Sequence, residues 1–96
     1  DMLEAAKREL EEETGLKARD WSELMTIHQS NSVSDEVAKL YVAKGLYEGR
    51  QQLEATEDIT VEKMPLTKAI DMVKNGEITD ALSVAALLRL ALDGVS

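Results

Sequence analysis

Residues Arg8-Glu9-Leu10-Glu11-Glu12-Glu13-Thr14-Gly15-Leu16 concentrate the chemistry of this chain, because they stack carboxylates where a helix gains nothing from them. Leu3, Ala6 and Leu10 recur at helical spacing and predict a helix with an apolar stripe. Gly15 is placed to end that helix in the left-handed conformation, with Leu16 folding back as the hydrophobic contact after the stop. Glu9, Glu12 and Glu13 stand at i, i+3 and i+4, so like charges crowd one face. Glu12 and Glu13 also fall in the last turn, where the helix dipole disfavours each anion by about 0.3–1 kcal/mol. A bound divalent cation removes both penalties, since it needs several hard oxygen ligands close together. The competing account is a solvated face knitted by the i,i+4 pairs Glu4–Arg8, Lys7–Glu11 and Arg8–Glu12.

The order of the residues favours the cation. Arg-Glu-Leu-x-Glu-Glu-x-Gly-Leu resembles the second half of the signature of the Nudix hydrolases, Gly-x5-Glu-x7-Arg-Glu-U-x-Glu-Glu-x-Gly-U, where U is a bulky aliphatic residue. Arg8, Glu9, Leu10, Glu12, Glu13, Gly15 and Leu16 fill every fixed position of that half. The resemblance implies an α/β fold, the C-terminal part of a Nudix α/β/α sandwich with a mixed sheet between helices. The signature's first glutamate would fall one position before Asp1, and its glycine further upstream. Residues 1–96 are therefore expected to be the C-terminal part of a single domain whose first strands lie elsewhere. Such a piece should be inactive alone and should form a homodimer or associate with the missing N-terminal segment.

Composition agrees with a folded, acidic domain. Of the 96 residues 44% are apolar, but only 3% are aromatic and Phe is absent, so the core is expected to rest on Leu, Val, Ile, Met and Ala. The net charge of −8 argues against a nucleic-acid groove or an anionic membrane surface, both of which need clustered Lys and Arg. Without cysteine there is no disulfide framework and no thiol chemistry. No apolar run is long enough to span a membrane, and the expected location is the cytoplasm.

Along the chain, Lys17–Ser22 reads as a polar connection and Leu24–His28 as a short strand. His28, the one histidine, has no second histidine or cysteine nearby and reads as a structural residue. Gln29–Asp35 reads as a loop and Val37–Leu46 as a strand. Tyr47–Asp58 reads as a polar loop and Ile59–Met64 as a further strand ended by Pro65. Thr67 is positioned to cap a helix running to about Asn75, burying Ile70 and Val73 and stopping at Gly76. Thr79 or Asp80 then opens a last helix, Ala81–Leu92. That helix is apolar on most sides and is expected to lie under other elements.

Within the Nudix family the chain is similar to the ADP-ribose and sugar-nucleotide pyrophosphatases. Ser30-Asn31-Ser32-Val33-Ser34-Asp35-Glu36 keeps the outline of their Ser-Pro-Gly-x-x-x-Glu loop, with Asn31 in place of the proline. Glu36 resembles that loop's substrate-binding glutamate, or is a charge at a strand edge. The order of strand, helix and long apolar helix is similar to the tail of these enzymes.

The resemblance implies Mg²⁺- or Mn²⁺-dependent hydrolysis of a nucleoside diphosphate linked to another moiety, ADP-ribose or a related sugar nucleotide. The products would be a nucleoside monophosphate and a sugar phosphate. Glu9, Glu12 and Glu13 look like the metal ligands, Arg8 like the arginine that orients them, and Glu54 or Glu57 like the general base. Two alternatives differ in class. One is a Nudix enzyme acting on a GDP-sugar or a nucleoside triphosphate. The other is a non-catalytic Nudix-like binding module, against which the intact Glu9, Glu12 and Glu13 weigh.

Overall fold

The computed structural model describes residues 1–30, 35–49 and 62–94. They form helix α1 (Met2–Thr14), strands β1 (Leu16–Ser30) and β2 (Asp35–Glu48), and helices α2 (Leu66–Lys74) and α3 (Ala81–Leu92). The chain divides into two compact units, Asp1–Val61 and Glu62–Ser96. The mixed α/β class agrees with the sequence, and the sheet among the described residues is an antiparallel pair.

In the first unit, the Asp1 carboxylate starts α1 by accepting from the N–H groups of Leu3 at 2.8 Å and Glu4 at 3.3 Å. Gly15 ends the helix at φ 72°, ψ 10°, and its N–H donates to the Glu11 carbonyl at 2.8 Å. Only glycine adopts that conformation without steric cost. Leu16 opens the following strand. The Thr14 hydroxyl donates to the Leu10 carbonyl at 2.6 Å and accepts from the Leu16 N–H at 3.1 Å, turning the chain directly into β1.

β1 therefore begins at Leu16, not at Leu24, and the polar segment Lys17–Ser22 is strand rather than connection. Its stability comes from across the ladder. The Arg19 guanidinium lies over the Tyr47 ring at 5.0 Å, and Trp21 meets Tyr41 edge-on with centroids 6.3 Å apart. Lys39 Nζ reaches Glu23 at 3.3 Å. Such cross-strand pairs, each worth about 0.2–1 kcal/mol, hold a strand that lacks an apolar alternation of its own. The register shifts between Glu23 and Met25, leaving Leu24 as the bulged residue. β2 likewise runs past both expected ends, taking in Asp35, Glu36, Tyr47 and Glu48, and β1 takes in Gln29 and Ser30.

In the second unit, Glu62–Met64 is irregular rather than strand. Pro65, not Thr67, stands at the start of α2, with φ −59° and ψ 143°. Its carbonyl accepts from Lys68 and Ala69, and having no N–H it leaves none unsatisfied there. Asn75 caps the C-terminal end and Gly76 follows, as the sequence indicates. Ile70 and Val73 are half-buried rather than buried. α3 has its expected limits and packs on α2, but no residue of it is buried, and Leu88 and Leu92 stay 45% and 85% exposed. Among the described residues no apolar side chain is fully enclosed, contrary to the expected aliphatic core.

Asp80 settles the start of α3. Its carboxylate accepts from the Ser83 N–H at 3.0 Å and the Ser83 hydroxyl at 2.9 Å. Those two bonds, the backbone one foremost, hold its pKa below the ordinary aspartate value. A depressed carboxylate stabilises the fold above its unfolded pKa and loses that contribution as pH falls through the folded one. Asp80→Ala should lower Tm at pH 7, and the gap to the parent should close below about pH 4. Thermal melts followed by circular dichroism read this; a gap that is constant with pH contradicts it.

Candidate functional site

A helix turns about 100° per residue, which puts Glu9, Glu12 and Glu13 along one side of α1. Glu9 and Glu13 are exposed and Glu12 is half-buried. Arg8 Nε stands 3.8 Å from Glu12 Oε1, the pairing read from the sequence. On the helix face that also carries Glu11, Lys7 reaches back to Glu4 at 3.7 Å. Exposed pairs of this kind contribute about 0–1 kcal/mol, too little to account for the acidic face. No basic residue stands in the last turn, so the negative end of the helix dipole adds to the field of the carboxylates. The potential at this face attracts cations.

Among the described residues no three acidic or histidine side chains converge to enclose a metal ion by themselves. Mg²⁺ does not ask for that. It is ordinarily held by one or two carboxylates, with water and substrate phosphate completing the shell. An open row of hard oxygen donors on a helix with a negative end fits such an ion.

The other expected site residues are not gathered on α1. Glu36 lies on β2 opposite Gln29 and is exposed. Glu54 and Glu57 lie outside the described residues. His28 is exposed on β1 opposite Val37. A cleft of about 410 Å³ opens between α1 and the hairpin, lined by residues that include Lys7, Glu11, Lys17, Trp21 and Tyr47. Glu9, Glu12 and Glu13 do not line it.

Glu11 fills a variable position of the signature, and the sequence marked it only as a partner for Lys7. In the structure it is 8% exposed, the buried residue among those described. Its place on the helix face away from Glu9 and Glu13 was the available signal.

Comparison with known proteins accords with the helix and its pattern. Residues 1–87 match the family model described as the NUDIX domain. The chain is similar to an ADP-ribose pyrophosphatase of Mycobacterium tuberculosis (strain ATCC 25618 / H37Rv), at 38% identity over 86% of this chain and 41% of that protein. It is 32% identical to an ADP-ribose pyrophosphatase of Bacillus subtilis (strain 168), over 91% of this chain and 48% of the relative. A GDP-mannose pyrophosphatase of Citrobacter koseri (strain ATCC BAA-895 / CDC 4225-83 / SGSC4696) is 33% identical over 84% of this chain and 44% of its own length. The chain thus spans less than half the length of these relatives. With the acidic helix, its glycine stop and the family match in agreement, the chain belongs to the NUDIX domain family.

Proposed function

We propose that the protein containing this chain hydrolyses the pyrophosphate of a sugar nucleotide, with ADP-ribose as the leading substrate and Mg²⁺ or Mn²⁺ as cofactor. The observation that carries this reading is the complete set Arg8, Glu9, Glu12 and Glu13 on one helix closed by Gly15 at φ 72°. Pyrophosphate oxygens repel nucleophiles, so hydrolysis needs charge neutralisation and an oriented water. When bound, the cation withdraws charge from the phosphates. The chain's own residues do the rest. Glu9 and Glu13, one turn apart, hold the cation, and Glu12 joins them directly or through water. Arg8, beside Glu12, fixes its carboxylate by a charge-assisted contact. Glu54 or Glu57 accepts the proton of the attacking water. The products are a nucleoside monophosphate and a sugar phosphate.

A GDP-sugar is the second reading, favoured by the similarity to a GDP-mannose pyrophosphatase. Full-length protein assayed on ADP-ribose, GDP-mannose and a nucleoside triphosphate, with and without Mg²⁺, separates the two. The preferred reading expects AMP and ribose 5-phosphate with the highest kcat/KM on ADP-ribose. Preference for GDP-mannose moves the assignment to the second reading, and no turnover on any of them contradicts both.

A further inference from the structure

We propose that Glu11 is a positioning residue: packed on Gly49, it locks α1 to the end of β2 and so sets the direction in which Glu9, Glu12 and Glu13 are presented. The proposal rests on the metal-holding role given to those glutamates above. Burying an acidic side chain is costly, and here it is buried on a helix whose apolar residues remain partly exposed.

Contacts at the helix end join this side chain to the end of β2. The Gly15 N–H donates to the Glu11 carbonyl at 2.8 Å, and the Gly49 N–H donates to the Gly15 carbonyl at 2.8 Å. The Glu11 side chain then closes the ring by lying against Gly49. A Cβ at position 49 would stand 2.9 Å from Glu11 Cδ and 3.0 Å from Cγ, with Oε2 nearer still. The two backbone bonds, both made by Gly15 in its left-handed conformation, pin the end of the helix. With the Thr14 bonds to Leu10 and Leu16 they hold the end of the helix, but all of them act close to one point and restrain roll about the axis less than an off-axis side-chain contact does. The Glu11 side chain adds an off-axis contact, and that contact stops the roll.

Roll matters to a metal site. At 100° per residue, Glu9 and Glu13 both lie about 160° round the axis from Glu11. The lock therefore faces β2 while both glutamates stay exposed on the far side. Side-chain tips ride about 5–6 Å from the helix axis, so a roll of about 10° displaces them by about 1 Å. Metal–ligand distances tolerate about 0.2 Å. Gly49 follows as a requirement of the lock, because any larger residue would push the Glu11 carboxylate off its seat.

The test uses full-length protein carrying Glu11→Ala, Glu11→Gln, Gly49→Ala, and Glu11→Ala with Gly49→Ala together. Mn²⁺ affinity is measured by calorimetry well below every Tm, and Tm is measured separately. Glu11→Ala and Gly49→Ala should each weaken Mn²⁺ binding by roughly 10- to 100-fold, as loss of a group supporting metal ligands does. Glu11→Gln keeps the shape of the side chain and should bind Mn²⁺ nearly as the parent does. Gly49→Ala should lower Tm in the parent but much less beside Glu11→Ala, where the new methyl has room. Tm losses that simply add overturn the lock. Unchanged Mn²⁺ affinity in Glu11→Ala, or a loss in Glu11→Gln as large as in Glu11→Ala, overturns the positioning role. If the parent binds no Mn²⁺, the functional reading and the positioning role fall together, while the Tm cycle still decides the lock.

Discussion

Glu13→Gln in the full-length protein is expected to remove most divalent-metal binding and to lower turnover by roughly 10²–10³-fold, the equivalent of about 3–4 kcal/mol of transition-state stabilisation. The substitution preserves size and one oxygen acceptor but deletes the charge that a hard cation requires. Helix stability should not fall, because an anion in the last turn of α1 opposes the helix dipole and stands beside Glu9 and Glu12. Loss of metal binding together with an unchanged or raised Tm is a signature that a structural role cannot give. Glu9→Gln should behave alike. Unchanged metal affinity in both variants would show that the ligand assignment is wrong.

The second large effect lies in the segment after β2. Glu54→Gln or Glu57→Gln should cut kcat by roughly 10²–10⁴-fold with little change in KM, as removal of a general base does. The two effects differ in kind. Loss of a metal ligand is offset in part by raising the Mg²⁺ concentration, whereas loss of a base is not. Steady-state kinetics at several Mg²⁺ concentrations separates them. Near-normal turnover in both variants would place the base elsewhere, at Glu36 or on α1 itself.

What the sequence disclosed was local. α1 and α3 declare themselves through apolar residues at helical spacing and through Gly15 and Asp80, whose capping bonds span no more than four residues. The glutamates proposed to hold the metal stand out in the sequence because their crowding near the end of a helix costs stability that the cation would restore. β1 was half hidden, since Lys17–Ser22 becomes strand through Tyr41 and Tyr47, which lie far along the chain. Pro65 displaced Thr67 at the start of α2 because a residue without an N–H loses nothing there, whereas the Thr67 side chain supplies no cap. Glu11 was the most deeply hidden. Its spacing shows which face of α1 it occupies, but only the return of β2 at Gly49 shows that this face is covered.

The acidic face of α1 is proposed as a metal-dependent hydrolytic centre. The most direct measurement is the rate of AMP release from ADP-ribose by the full-length protein, titrated with Mg²⁺ and compared with Glu9→Gln and Glu13→Gln. Turnover should be absent without the ion, rise to saturation with it, and require much higher Mg²⁺ in both variants. Equal rates in EDTA and in Mg²⁺, or variants whose Mg²⁺ dependence matches that of the parent, would contradict the claim.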